Sequence, residues 1–179
     1  MSVARLNWAC GDWVEPGWIN CDVKDVPGAD FSCDIRSGLP LDDDSLAYAV
    51  SIHTLPELPL EDQVPALREL RRVLRPGGVL RLGLPDLLRS VDAYCRGDRS
   101  YFAIPDEEMQ TLGGKLIVQL VWYGYSRTPF VAEFAEELLR KAGFREVTHV
   151  GFGRTASGHS EIVHLDNRER ESLFIEAVK

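Results

Sequence analysis

The sequence lacks the features that mark membrane-spanning, secreted and nucleic-acid-binding proteins. It has no apolar run long enough to cross a bilayer and no apolar leader segment at its N-terminus. Lys and Arg total 20 against 28 Asp and Glu, and the net charge of −8 disfavours charge-driven binding to nucleic acid or to an anionic membrane. We therefore expect a cytoplasmic protein with neither of these partners. Nothing in the sequence indicates an oligomeric state.

Cysteine is also scarce, and its spacing disfavours the common cysteine sites. The four cysteines form no CxxC pair and mostly stand in apolar runs: Cys10, Cys21, Cys33 and Cys95. Core thiols in a reducing compartment explain this pattern better than a disulfide framework or a zinc site. The acidic run at 42–44 is typical of a solvated turn, so we predict no metal site.

Several catalytic signatures are missing as well. No GxGxxG follows the first predicted strand, which disfavours a nicotinamide dehydrogenase, and neither a GxxxxGK[ST] loop nor a GxSxG elbow is present. The fourth predicted strand ends in Ser-Ile-His-Thr and not in the Asp-Pro-Pro-Tyr type motif of amino-methylating DNA enzymes. Cys95 follows Tyr94, whereas a cytosine-C5 nucleophile is expected to follow proline.

What the sequence does contain is an alternation of short apolar runs and turn residues. A chain of 179 residues with 45% apolar residues can form one domain, and we predict that 1–179 is a single domain. Five strands are predicted in the first half, at 3–8, 18–21, 29–33, 47–52 and 79–84. Two more are predicted near the end, at 144–150 and 173–178.

Helical periodicity lies between these strands. Leu67, Leu70 and Leu74 belong to an apolar face that Pro76-Gly77-Gly78 ends. Further helices are predicted over 86–94 and 130–142, while 116–122 is either a helix or a cover over a cleft. The pattern predicts an α/β fold: a Rossmann-like, mostly parallel sheet flanked by helices, with an antiparallel edge strand. The long polar stretch 151–171 is either functional or mobile.

Ligands of such sheets bind beyond the carboxyl ends of the strands, so the residues there are the candidate site. Small residues follow the first strand, and their backbone can approach a ligand closely. A carboxylate after the second strand, Asp22, can accept hydrogen bonds from both hydroxyls of a ribose. Asp34, after the third strand, can accept from an exocyclic amine. Each carboxylate alone is also consistent with a turn or cap, and the ordered set is what indicates a nucleoside site.

The same ordered series resembles class I S-adenosylmethionine-dependent methyltransferases of the methyltransferase type 11 kind. The resemblance covers nearly the whole chain and is weakest over 97–128. It is carried by Leu6-Asn7-Trp8-Ala9-Cys10-Gly11, by Pro16-Gly17-Trp18-Ile19-Asn20-Cys21-Asp22, by Asp34-Ile35, by Ser51-Ile52-His53-Thr54-Leu55 and by Arg72-Val73-Leu74-Arg75-Pro76-Gly77-Gly78. It implies that S-adenosylmethionine is the cofactor. The cofactor-binding residues it implies are Ala9, Cys10, Gly11, Asp22, Asp34, Ile35, Ser51, Ile52 and His53.

The chain departs from that family pattern at two places. Ala9 stands where the family usually has glycine, and only 12–17 separate the first two predicted strands, which leaves no room for the usual helix. Where the family usually reads His-x-Leu-Glu-His, this chain has His53-Thr54-Leu55-Pro56-Glu57, so the second histidine is lost. These departures keep open a catalytically degenerate cofactor-binding or adaptor protein as an alternative to a methyltransferase.

Two residues are candidates for catalysis. Methyl transfer from a sulfonium needs mainly an oriented nucleophile and a dry site, and a general base if the acceptor is a hydroxyl. His53 ends the fourth strand, and a free imidazole titrates near neutrality; Asp86 follows the fifth strand and could instead cap the next helix. We expect a small-molecule acceptor, such as a saccharide or metabolite hydroxyl. Trp122, Tyr123 and Tyr125 either line its pocket or belong to the core.

Overall fold

The computed structural model describes residues 3–179, and within them seven strands form one sheet. The strands are β1 (Arg5–Trp8), β2 (Ile19–Asp22), β3 (Phe31–Ser32), β4 (Leu46–Ile52), β5 (Leu74–Pro85), β6 (Glu146–Val150) and β7 (Ser172–Val178). Their order in the sheet is β3-β2-β1-β4-β5-β7-β6. The first five are parallel, and β7 runs antiparallel to both of its neighbours. The predicted fold class is confirmed.

Four α-helices accompany the sheet in the described residues: α1 (Leu60–Val73), α2 (Leu87–Cys95), α3 (Leu112–Val121) and α4 (Ala132–Lys141). α1 forms because apolar residues recur every three or four positions and because its ends suit the helix dipole. Glu61 and Asp62 stand in its first turn, and Arg71 and Arg72 in its last. α2 and α3 pack on each other beyond the end of β5, around buried Ala93 and Tyr101.

One face of the sheet carries the main hydrophobic core, which α1 and α4 cover. Leu67 and Leu70 of α1 and Leu139 of α4 pack there against strand residues such as Leu80 and Ile175. These side chains are at most 1% exposed, so this face supplies much of the apolar burial that stabilises the fold. Its packing fixes the strands whose carboxyl ends form the site.

The opposite face is covered by the long connection 151–171, which the sequence left as either functional or mobile. Ile162 and Leu165 from this connection pack on Trp18, Tyr48 and Val50 of the sheet. The connection contains a short 3-10 turn, Ser160–Val163. It therefore takes the place of a covering helix, and its last residues reach the carboxyl ends of β1 and β4.

Buried Arg81 anchors this connection to the sheet. Its side chain is 0% exposed, and it donates to Asp166 of the connection (Nε to Oδ1, 2.7 Å) and to Glu176 of β7 (Nη1 to Oε1, 2.7 Å). The carbonyls of Arg154 and Gly151 accept from the same guanidinium. All five guanidinium donors of Arg81 thus have acceptors, which fixes both ends of the connection.

Most predicted boundaries shift by a few residues, and two features differ more from the sequence prediction. β5 begins at Leu74, directly after α1, because Pro76-Gly77-Gly78 bulges out of a strand that already pairs with Leu46; Gly77 has a φ of 76°, which glycine adopts without strain. The antiparallel strand β7 is the last but one in the sheet, with β6 outside it. The absence of a helix between β1 and β2, where every residue is described, is as expected.

The four cysteines form no disulfide in the structure. All four cysteines are free; Cys10 and Cys21 are buried, whereas Cys95 is exposed and therefore not a core thiol.

Among residues 3–179, none of the helices combines the length and apolarity that spanning a membrane requires. The described part of the chain also holds no group of three or more histidine, cysteine, aspartate or glutamate residues arranged for a metal ion.

Candidate functional site

A cleft of about 390 Å³ opens at the carboxyl ends of β1, β2 and β4. Loop residues after each of these strands form its walls, and the last part of the 151–171 connection closes one side. The lining includes six of the predicted cofactor residues: Ala9, Cys10, Gly11, Asp22, Ile52 and His53. Residues separated by as many as 44 positions in the chain thus meet at one site, because the carboxyl ends of parallel strands lie at the same edge of the sheet.

Asp22 is the carboxylate at the base of this cleft. It ends β2, is 9% exposed, and accepts one backbone N–H on each oxygen, from Gly11 (3.0 Å) and from Lys24 (3.0 Å). Each carboxylate oxygen can accept more than one hydrogen bond, so Asp22 retains acceptor sites for a ligand. It therefore holds the two neighbouring loops in place and can still bind the two hydroxyls of a ribose.

The loop after β1 gives a ligand close access to its backbone. Ala9 has a φ of 57° and Gly11 a φ of 50°, both in the left-handed region that favours glycine. Ala9 bears the modest strain of a non-glycine residue there, which explains why the related pattern has glycine at this position. No atom lies within 4 Å of the place that a Cβ on Gly11 would occupy. The space beside this loop is open.

Two asparagines that the sequence analysis overlooked organise the β1–β2 connection. Asn7 Nδ2 donates to the Trp13 carbonyl (2.7 Å) and to Asn20 Oδ1 (3.0 Å). Asn20 in turn binds the Glu15 backbone through both its amide oxygen and its amide nitrogen. Both asparagines are buried, and they replace the helix that is missing here. In the sequence, an asparagine inside each of two short apolar strands was the signal that could have indicated this hydrogen-bond network.

His53 sits between this cleft and a second pocket. Its backbone has a φ of 61°, and its Nε2 lies 2.7 Å from Ser172 Oγ, which donates its own proton to the Arg168 carbonyl. The imidazole therefore donates from Nε2. Burial, together with the charge of Arg168, lowers the pKa of His53 from 6.5 to about 3. The imidazole is neutral at physiological pH and is a weak proton acceptor.

This burial predicts a pH dependence of stability. Because the folded state disfavours the charged imidazole, the unfolded chain binds the proton more readily below pH 6.5, and stability falls as pH falls toward the folded pKa. Between pH 7 and pH 5, His53 is expected to lower the free energy of unfolding by about 2 kcal/mol. Urea unfolding of the wild type and of His53→Gln at both pH values measures the difference. Equal losses in the two proteins would contradict this assignment.

The second pocket is smaller, about 70 Å³, and adjoins the cleft at three shared residues, His53, Glu57 and Arg168. Its walls come from the ends of β4 and β5 and from α2 and α3. Apolar side chains dominate them: Pro56, Pro85, Leu87, Leu120, Trp122, Pro129 and Phe130. Trp122 thus lines a pocket, whereas Tyr123 and Tyr125 are more than half exposed and belong to neither pocket nor core.

Four predicted site residues lie outside the large cleft. Ile35 packs in the main core, and the Asp34 carboxylate caps a short 3-10 turn and binds the Arg36 guanidinium, which lowers its pKa. An adenine amine would have to compete with that guanidinium. Ser51 is 2% exposed, and its hydroxyl has no hydrogen-bond partner among the described residues. Asp86 lines the small pocket and caps α2 by accepting from the Leu88 N–H (3.0 Å).

Comparisons with known proteins agree with this geometry. Residues 12–82 match the family model described as a methyltransferase domain, which confirms the resemblance seen in the sequence. A search of curated proteins gives no match. Among solved structures, an S-adenosylmethionine-dependent methyltransferase from Thermotoga maritima, described as a possible histamine N-methyltransferase, has a TM-score of 0.59 and 20% identity, over 98% of this chain and 82% of that one.

Two further structures show the breadth of the fold. A methyltransferase from Archaeoglobus fulgidus has a TM-score of 0.64 and 15% identity, over 99% of this chain and 86% of its own. The cyclase SpnF has a TM-score of 0.55 and 20% identity, over 99% and 74%. The chain has the class I methyltransferase fold, and this fold together with the family match over residues 12–82 implies S-adenosylmethionine as the cofactor. Most walls of the small pocket lie beyond residue 82, outside the matched segment.

Proposed function

We propose that this chain, with the methyltransferase-family match and fold just described, transfers a methyl group from S-adenosylmethionine to a small molecule. The observation that carries the proposal is the pair of adjoining cavities. The large cleft has an aspartate and open backbone at the carboxyl ends of β1 and β2, and the small apolar pocket meets it at His53, Glu57 and Arg168. A cofactor and an acceptor could therefore meet without crossing bulk solvent.

The residues of the large cleft fit this cofactor. Asp22 offers free acceptor sites for a ribose, the space beside the Gly11 backbone is open, and Ala9 lines the same cleft. When bound, S-adenosylmethionine supplies an already activated methyl group, so the protein has to hold the nucleophile in line and exclude water. The apolar walls around Trp122 and Phe130 serve the second purpose.

For His53 we propose a positioning role. The sequence favoured it as a general base for a hydroxyl acceptor. Burial lowers its pKa to about 3, and its Nε2 is bound to Ser172. Through Ser172 it holds the carbonyl of Arg168, a residue strained at a φ of 58°. His53 thereby fixes the loop where the two cavities meet.

The acceptor is proposed to be a small molecule because the pocket is small and the chain is acidic. A cavity of about 70 Å³ suits a small acceptor body whose reacting group faces the large cleft. The net charge of −8 works against nucleic acid as a substrate. The cytoplasmic location remains a prediction that rests on the sequence.

A non-catalytic cofactor-binding protein is the second candidate function. Ala9 and the helix-free β1–β2 connection depart from the usual pattern. In addition, the fold comparison includes a protein described as a cyclase. Cofactor binding without turnover on any acceptor would favour this alternative.

The test of the proposed function has two steps. In the first, S-adenosylmethionine, S-adenosylhomocysteine and NAD are titrated calorimetrically into the protein, and saturable binding of the first two without NAD is expected. In the second, the protein is incubated with isotopically labelled S-adenosylmethionine and a small-molecule cell extract, and transfer of label to a discrete product is expected. No heat and no thermal stabilisation with either sulfur compound at millimolar concentration would overturn the proposal.

A further inference from the structure

The place where the two cavities meet determines which group can act on the acceptor. Among residues 3–179, three line both cavities: His53, Glu57 and Arg168. Any nucleophile that enters the small pocket and faces the large cleft must pass beside these side chains. The protonation state and charge of the three therefore decide which acceptor atom the site suits.

Two of these three side chains, His53 and Arg168, already have interaction partners within the protein. The His53 imidazole binds Ser172 and stays neutral, with a pKa near 3. The Arg168 guanidinium pairs with Glu171 (3.2 Å), lies over the Trp122 ring at 5.6 Å, and cannot accept a proton.

Glu57 is the third shared residue, and its carboxylate is free. Within residues 3–179 the carboxylate has no hydrogen-bond or ion-pair partner, and only the backbone N–H of Glu57 is bonded, to the Thr54 carbonyl (2.9 Å). Glu57 is exposed as a residue, but partial desolvation of its carboxyl raises the pKa of that group, and the charges of Lys24 and Arg168 offset part of the rise. Its position follows from the short turn Leu55–Glu57 after β4, which places the carboxylate at the mouth of both cavities.

The other carboxylates of the small pocket are not free in this way. Asp86 accepts from the Leu88 N–H and pairs with Arg89 (3.3 Å). Glu171 accepts from the Gln119 amide and pairs with Arg168. Glu57 is therefore the carboxylate that can respond to a bound acceptor, and it is the one that also faces the large cleft.

A carboxylate at this point suits a nitrogen nucleophile better than an oxygen one. Near neutral pH a small amine arrives as an ammonium, with which a carboxylate forms an ion pair; the carboxylate takes one N–H proton and passes it to water. The freed lone pair then forms the new N–C bond while the methyl carbon's bond to sulfur breaks and its electron pair returns to sulfur, and the carboxylate stabilises the positive charge of the methylated ammonium product. An aliphatic hydroxyl is about as weak an acid as water and therefore needs a stronger base than a carboxylate.

We infer that Glu57 is a catalytic and specificity-determining residue that selects a small amine with an apolar body as the methyl acceptor. The inference rests on the proposed function and names its substrate class. The amine head group meets Glu57 at the junction, while the apolar body lies among Leu120, Trp122 and Phe130. The expectation of a hydroxyl acceptor that arose from the sequence is replaced by this one.

The experiment compares acceptors that differ only in the reacting atom. Butylamine against butanol, and benzylamine against benzyl alcohol, are titrated calorimetrically into the complex with S-adenosylhomocysteine. The wild type is expected to bind each amine at least tenfold more tightly than its alcohol. In Glu57→Gln, which keeps the shape and removes the charge, this preference should vanish. With labelled S-adenosylmethionine, turnover of an amine that binds should fall by about 10²–10⁴, as for a lost proton acceptor.

Glu61→Gln is the matched control, since Glu61 stands four residues further on in α1 and lines neither cavity. It should behave as the wild type toward the amines, the alcohols and S-adenosylhomocysteine, and the acceptor titrations of Glu57→Gln are made at saturating S-adenosylhomocysteine. If the wild type binds S-adenosylhomocysteine but shows no amine preference, or if Glu57→Gln keeps that preference, the inference is overturned and the proposed function stands. If the wild type fails to bind S-adenosylhomocysteine, the proposed function fails, and the inference fails with it.

Discussion

Replacing Arg81 with Met is expected to lower the free energy of unfolding by about 3–5 kcal/mol, the usual cost of leaving buried charges without their partner. Asp166 and Glu176 both lose their guanidinium, and their side chains are only 2% and 3% exposed. Natural domains are stable by about 5–15 kcal/mol, so such a loss removes a large fraction of the total. Urea unfolding at pH 7 measures it.

Two further variants separate the mechanism from a general effect of mutation. Arg75→Met removes an exposed arginine from the same strand and is expected to change stability by no more than about 0.5 kcal/mol. Arg81→Met combined with Asp166→Asn and Glu176→Gln leaves no uncompensated charge and should recover part of the loss. A single Arg81→Met variant as stable as the Arg75 control would show that the ion cluster does not hold the 151–171 connection.

Asp22→Ala is expected to weaken S-adenosylhomocysteine binding by roughly 10- to 100-fold. The change removes the proposed contacts to the ribose and also releases the loops that Asp22 holds through the N–H groups of Gly11 and Lys24. Hydrogen bonds to a charged group contribute about 1.5–3 kcal/mol, and each 1.4 kcal/mol is a tenfold change in affinity. Calorimetric titration of the variant against the wild type gives the ratio directly.

Asp25→Ala is the control for that measurement, because Asp25 is exposed and lies outside the cleft lining. Asp34→Ala is the informative companion. The sequence predicts a loss of affinity for it comparable with that of Asp22→Ala, whereas the structure shows its carboxylate engaged by Arg36. An affinity within twofold of the wild type for Asp22→Ala would remove Asp22 from the site.

The parallel sheet and the cleft over β1, β2 and β4 could be predicted because strand patterns and strand ends are local features of the sequence. Asp22 and His53 follow apolar runs directly, and parallel strands place their ends together. The predicted helices over 86–94 and 130–142 correspond to α2 and α4, with boundaries shifted by one or two residues, because helical periodicity is also a local feature of the sequence.

The second cavity and the role of the 151–171 connection could not be predicted, because both depend on contacts between distant segments. Arg81 and Asp166 are 85 residues apart, and a lone arginine inside an apolar strand does not reveal its partner. The fate of Asp34 depends on the rotamer of Arg36, and the depressed pKa of His53 depends on the connection that buries it. Glu57 became a candidate only when both cavities were found to share it.

The most direct test of the central claim is a crystal structure of the protein with S-adenosylhomocysteine bound. We predict that the ligand lies in the 390 Å³ cleft, with both ribose hydroxyls within hydrogen-bond distance of the Asp22 carboxylate. We also predict that its sulfur faces the junction formed by His53, Glu57 and Arg168. Density for the ligand at any other place, or a ribose that does not contact Asp22, would contradict the account.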